Sequence, residues 1–162
     1  MRITGRMKMT VRDADGALLA QRRVDNQVLR GGALLVAQLF AGAADVGPID
    51  AVQVGWNREP ADAETTTLGA PPPPPPPAEP IAASALRSPV RAENFSLDTS
   101  RRDAVQVSVS TVFRPTVDLA EVSEAGLMAG DRLYNQVVFE PVTLRVGQDV
   151  TFFWEIDFPF GN

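Results

Sequence analysis

Neither cysteine nor histidine occurs in the 162 residues, and tyrosine occurs once. Without cysteine no disulfide can form, so stability has to come from burial or assembly, and cysteine usage says nothing of the redox compartment. Together the two absences remove the usual nitrogen and sulfur ligands of zinc. They also remove the base of Ser-His and Cys-His catalytic systems, and the cysteine nucleophile itself. The expectation is a chain that is not an enzyme and carries no metal or cofactor. Positive charge is scarce as well: 15 Lys and Arg stand against 20 Asp and Glu, a net charge of −5. Nucleic acid is therefore not an expected partner, because such binding rests on neutralising phosphates, and Arg101-Arg102 is too small a cluster to alter this. Long apolar runs are missing too. The longest, GGALLVAQLFAGAA from Gly31 to Ala44, contains Gln38 and is too short to cross a bilayer. The N-terminal MRITGRMKMTV has no apolar core of the kind a secretory signal needs. These features predict a soluble, cytoplasmically assembled protein with no membrane partner.

What is present is β patterning. Ile3, Gly5, Met7, Met9 and Val11 alternate with Arg2, Thr4, Arg6, Lys8, Thr10 and Arg12, the period-two signature of a half-buried strand. DADG at Asp13 to Gly16 supplies a turn, and ALLAQRRV returns as the hairpin partner. Val28, Leu35 and Leu39 then recur at helical spacing, with Val36 and Phe40 widening the apolar stripe and Gly42 placed to end the helix. Asp25 or Asn26 could cap its start, and the Gly31-Gly32 pair sets the firm helical part at Ala33 onward. Further strands follow: Val52, Val54 and Trp56 share one face, and IAASALRSPVRAENF is extended, with Pro89 at an edge or bulge. AVQVSVSTVF alternates, two strands flank Gly130-Asp131, and a turn at Gly147-Gln148 leads to the last strand. There Val150, Phe152, Trp154, Ile156, Phe158 and Phe160 share one face, as in a core strand of a sandwich. The predicted fold is mostly β: one antiparallel β-sandwich domain over 1–162, with one short α-helix and a long proline-rich loop.

That loop is residues 58–80. Its centre is an unbroken run of seven prolines, Pro71, Pro72, Pro73, Pro74, Pro75, Pro76 and Pro77. Proline offers no N–H, so no ladder runs through it. As a polyproline II rod the run would span about 22 Å. The part before the loop is too thin to form a core alone, and the part after it needs cover for its apolar faces. The loop is thus read as an excursion within one domain, and the seven prolines as its candidate partner contact. Three readings of the run stay open: an arm along a neighbouring subunit, a ligand for a proline-recognising domain, or a low-complexity insertion without a partner.

Other candidates weigh less. DADG resembles the start of a calcium loop, but Gly16 falls fourth from Asp13 and Val24 stands at the twelfth position, where glutamate is required, so a hairpin turn is the better reading. Glu121 and Glu124, with Asp118 nearby, could serve as acid and base carboxylates; Glu124 could equally point inward and pair with an arginine. Asn94 in NFS fits a glycosylation sequon but has no secretory context. Trp56 and Trp154 could stack on a sugar, yet both lie on apolar faces and read better as core.

Three blocks carry a resemblance. VQVGWN (Val52 to Asn57) with Pro60 and Thr67-Leu68, then EAGL (Glu124 to Leu127) with LYNQVVFEPV (Leu133 to Val142), and finally Val150 to Phe158 resemble phage tail and tail-like particle proteins, loosely the tail-collar fibre N-terminal domain. The likeness covers about half the chain and its motifs are structural. It implies a structural subunit of a bacteriophage or phage-like particle, located in the virion and assembled in the bacterial cytoplasm. Its implied partners are other particle structural proteins and further copies of itself. With no shaft or receptor-binding tip after residue 162, the expected role is a collar, baseplate or fibre-adaptor piece, or a capsid decoration protein. The alternative is a ligand-binding β-sandwich, with carbohydrate as its candidate ligand.

Overall fold

The computed structural model describes residues 2–60 and 62–161. The first hairpin joins β1 (Thr4–Arg12) to β2 (Leu18–Val28), and Asp13 closes its turn: its carbonyl accepts from Gly16 N–H, and its carboxylate from the N–H groups of Asp15 and Ala17. Helix α1 (Arg30–Phe40) and β3 (Ala51–Gly55) follow. After the proline loop come β4 (Arg87–Pro89), β5 (Phe95–Asp98) and β6 (Ala104–Phe113). The chain finishes with β7 (Leu119–Ala129), β8 (Arg132–Leu133), β9 (Asn135–Leu144) and β10 (Asp149–Pro159).

All pairings are antiparallel, and the sheet runs in the order β4-β3-β7-β9-β2-β1-β10-β6-β5, with β8 beside β7. The middle of this path is narrow. Strand β2 pairs with β1 along most of its length but meets β9 only at Gln27–Gln136 and Val28–Asn135. The sheet is continuous through this seam rather than split into the two sheets of a sandwich, and its halves curl around one core. At the far side Ser88 Oγ donates to Val112 O and Thr111 Oγ1 to Pro89 O, so side chains draw β4 to β6 where no ladder forms. Pro89 stands on the end strand of the sheet, where a missing N–H costs no pairing.

The alternation read from sequence decides which faces meet. Met7, Met9, Val150, Phe152, Trp154 and Phe113 from one half join Val52, Val54, Val122, Leu127 and Phe139 from the other in one core cluster. Each large apolar side chain sealed there contributes about 1.5–3 kcal/mol. Phe152 stacks on Trp154 and meets Phe113 edge-on, with centroids 5.7 and 6.4 Å apart. Segments before and after the proline run thus share a core.

Strand β7 departs from alternation, being buried without a break from Val122 to Ala129. One side faces the core. On the other side Leu29, Leu68, Ala51, Met128 and Leu133 form a second, smaller cluster under α1 and the loop. Gly126 makes the layer thin enough, since a Cβ there would lie 2.6 Å from Asn135 O.

Two local expectations change. The segment IAASALRSPVRAENF is mostly not strand: 3-10 turns at Ala83–Leu86 and Ala92–Asn94 flank the three residues of β4. Helix α1 begins at Arg30, before the glycine pair, because Gly32 packs flat on β8–β9; its Cβ would meet Tyr134 O at 2.1 Å. Asp25 and Asn26 belong to β2, and the N-cap is Leu29, without a side-chain cap. Gly42, at φ +70°, ends the helix as its sequence position suggested.

Candidate contact surfaces

The loop does not leave the fold as a free excursion. Glu124, on β7, is fully buried, and its carboxylate gathers donors from three distant segments. Oε2 accepts from Asn57 N–H at 3.1 Å and Gly69 N–H at 2.8 Å; Oε1 accepts from Asn57 Nδ2 at 3.1 Å and from Gln136 Nε2. The neighbouring Ser123 Oγ donates to Asn57 O at 2.7 Å, and Trp56 N–H donates to Gly69 O. Space is as tight as the bonding: a Cβ on Gly55 would meet Glu124 Oε2 at 2.3 Å, and one on Gly69 would meet Asn57 N at 2.7 Å. Leu68 is buried beside this node. No arginine or lysine pairs with Glu124 among the described residues, so backbone and amide N–H groups take the role expected of an arginine.

The node divides the loop. Before it, Ala63 and Glu64 lie at α1's start, where Arg30 N–H donates to Ala63 O and Arg30 pairs with Glu64 at 3.0 Å. Beyond Gly69 the proline arm follows, and the chain is anchored again by Ile81 against the core and by buried Leu86. Between these anchors Pro71 and Pro74 are half-buried, while Pro72, Pro73, Pro75, Pro76 and Pro77 are exposed. The spacing of three is the repeat of a polyproline II helix, which turns one edge inward and the other two outward. The run is not a rod to its end. Ala78 N–H donates to Pro75 O in a turn that contains the cis Pro76-Pro77 bond.

Helix α1 presents a second surface. Gly32 and Leu35 are its buried face, whereas Phe40, counted with the inward stripe on periodicity, is 95% exposed. Leu34 is exposed as well. Five residues beyond Leu35 at 100° each, Phe40 is turned about 140° away from the buried side, so the stripe read from spacing does not extend to it.

The remaining candidates are scattered. Glu121 is exposed, at φ +54°, in a bulge of β7, and pairs with Arg58 at 3.4 Å. Asp118 accepts from Val146 N–H and faces Arg145. Neither is brought to Glu124. Trp154 is sealed in the core; Trp56 is part-buried and donates its indole N–H to Ala120 O at 2.8 Å. Asn94 donates to Ser110 O. No group of three or more acidic side chains that could hold a metal ion occurs among the described residues, and no helix among them is long and apolar enough to cross a membrane.

Sequence reading passed over the outer face of β2-β1-β10-β6. A groove of about 720 Å³ there is lined by Arg6, Lys8, Thr10, Arg23 and Phe153. At its end Arg6 pairs with Glu155, whose hydrogen bond and charge raise the guanidinium above its ordinary range. Partial burial pushes the Asp157 carboxyl up, but hydrogen bonds from Gln106 and Arg101 outweigh it and hold the group below the usual carboxylate range. The signal was available, since Lys8 and Arg23 fall opposite each other once β1 and β2 are set in register. Comparison with family models, curated proteins and solved structures finds no match to this chain.

Proposed function

We propose that this protein is a structural subunit of a bacteriophage or phage-like particle, acting by protein–protein contact, with the proline arm as a contact element. The observation that carries the reading is the arm's construction. Its tip is exposed while both ends are tied down, by buried Leu68 and the Gly69–Glu124 hydrogen bond on one side and by half-buried Ile81 and buried Leu86 on the other. An arm already stiff loses little freedom when a neighbour covers it. The particle setting comes from the sequence resemblance. Supporting it, VQVGWN, EAGL and LYNQ, which lie apart in the chain, meet at the Glu124 node, with Leu68 packed beside Gly55.

The test is whether the chain travels with particles. Particles sedimented from a lysate of the native cells and probed by quantitative mass spectrometry should contain it in fixed stoichiometry. Equal-length Gly/Ser replacement of Pro71–Pro77 should leave the fold intact and the particles depleted of the chain. A chain found only in the supernatant overturns the reading.

The second reading, a ligand-binding sandwich, is favoured by the groove beside Phe153 rather than by either tryptophan. Saturable quenching or shift of a probe placed in that groove by an oligosaccharide would support it.

A further inference from the structure

From Ala33 onward the outward face of α1 is apolar. At 100° per residue, Arg30, Ala33, Leu34, Ala37, Phe40 and Ala41 share the side opposite the buried Gly32 and Leu35, and all six are exposed. A surface helix ordinarily places polar side chains there. Here the one charged group, Arg30, is already engaged by Glu64. Phe40 and Leu34 are 95% and 55% exposed. A single aromatic side chain of this kind offers about 150–250 Å².

The whole chain is also under-buried. A compact monomer of 17.4 kDa exposes about 7,900 Å². This chain exposes 9461 Å², an excess of about 1,600 Å². Part of that excess is the proline arm, but an interface of standard size removes about 800 Å² from each partner, and the surplus leaves room for one; Leu34 and Phe40, close together on one helix, are among the large apolar side chains left exposed.

The face is complementary to itself. Leu34 and Phe40 flank the line of Ala33, Ala37 and Ala41 on opposite sides. Two such helices placed antiparallel about a two-fold axis beside Ala37 set each large side chain over a small one: Phe40 over the partner's Ala33, and Leu34 over the partner's Ala41. Alanine lets the backbones approach to an interaxial distance at the low end of the usual 8–10 Å. A parallel arrangement would instead bring two Arg30 side chains together, and the antiparallel one keeps them at opposite ends. A chain of net charge −5 resists its own copies, so a helix face with no acidic residue of its own, and with its nearby Glu64 neutralised by Arg30, is where a copy can approach.

We propose that two copies of this chain associate through the outward face of α1, antiparallel, with Phe40 of each seated over Ala33 of the other. This deepens the assembly reading above and rests on it for its biological sense; its physical test is separate. Sedimentation equilibrium of the full chain, from about 1 μM to 1 mM across the range of transient contacts, should show a monomer–dimer equilibrium. Phe40→Lys and Leu34→Gln, at exposed positions and with lysine favoured near a helix C-terminus, should keep the native far-UV spectrum and weaken the dimer by about 100-fold. In this cysteine-free chain Ala37→Cys should cross-link into a covalent dimer under mild oxidation, whereas Ala14→Cys in the β1–β2 turn should not. A monomer at every concentration overturns the proposal, as does a dimer indifferent to Phe40→Lys. Loss of the dimer only on Gly/Ser replacement of Pro71–Pro77 would make the arm the interface and overturn it as well. A chain present in particles but monomeric in solution sinks this inference alone; a dimer absent from particles sinks the particle reading alone.

Discussion

A fully buried carboxylate without a cation partner has to find its stabilisation in hydrogen bonds. Glu124 finds four, from Asn57, Gly69 and Gln136. Removing it by Glu124→Ala leaves those buried donors facing a cavity, and the expected cost is about 3–5 kcal/mol by urea unfolding. Glu124→Gln keeps the volume but turns an N–H group toward donors; about 1–3 kcal/mol is expected. Either variant should also open the chain to trypsin at Arg58 before global unfolding. Tyr134 is a different case. It is 3% exposed, its hydroxyl has no partner among the described residues, and burial pushes its pKa up to about 12. A raised folded-state pKa means that the folded state holds its proton where the unfolded chain, near 10, has lost it. The resulting stability is fully present below pH 10 and disappears as pH climbs toward 12, a loss of about 2–3 kcal/mol. Absorbance titration of this single tyrosine, beside melting temperatures from pH 9 to 12, measures both. Tyr134→Phe should be neutral or slightly stabilising at pH 7 and should flatten the alkaline decline, because the lost hydroxyl made no bond. Spacing left Glu124 two roles, an acid or base beside Glu121 or an inward structural carboxylate; folding shows the second, with amide and backbone donors in place of an arginine.

At the scale of elements, α1 illustrates how contact overrides propensity. Two adjacent glycines argue for a late helix start, yet the helix includes both, since Gly32 lets it lie flat against the carbonyl of Tyr134. Gly32→Ala should therefore destabilise by about 2–4 kcal/mol, the clash being with backbone that cannot swing away. Gly31→Ala, whose Cβ would sit 3.3 Å from Leu133 O, should stay within about 1 kcal/mol of native, with gained helix propensity set against a small adjustment. Thermal melts of the two single variants decide it; equal melting temperatures would mean that α1 is not seated as described. Strands β1, β6 and β10 behave as their alternation promised, because each has one face on the core and one toward solvent. Strand β7 could not be read that way, being covered on both faces.

For the whole molecule, the consequences lie in how copies meet. A dimer that melts as a unit makes the melting temperature rise with protein concentration; native chain should show this and Phe40→Lys should not. Like-charged copies also repel, and salt screens that repulsion while leaving apolar contact in place. Raising ionic strength from about 0.01 to 0.15 M, which shortens the screening length from about 30 to 8 Å, should tighten self-association several-fold. Weakening instead would point to an interface built on ion pairs, such as the groove of Arg6, Lys8 and Arg23.

The sequence alone determined the faces of β1, β6 and β10, the turns at Asp13–Gly16 and Gly147-Gln148, the β-rich class and the absence of any ladder through the prolines. Each of these is local: a period of two, a glycine at positive φ, or a ring without an N–H acts within a few residues. Tertiary structure decided the rest. Phe40 lies outward because seating Gly32 and Leu35 on the fold fixes the rotation of α1, and that rotation turns Phe40 away. Glu124 is a pin because folding brings it residues 67, 55 and 12 positions away. The proline arm is held at both ends because Leu68 and Ile81 each find apolar cover in segments remote in the chain. Burial and hydrogen-bond partners of this kind belong to pairs of distant residues, and no stretch of sequence contains them.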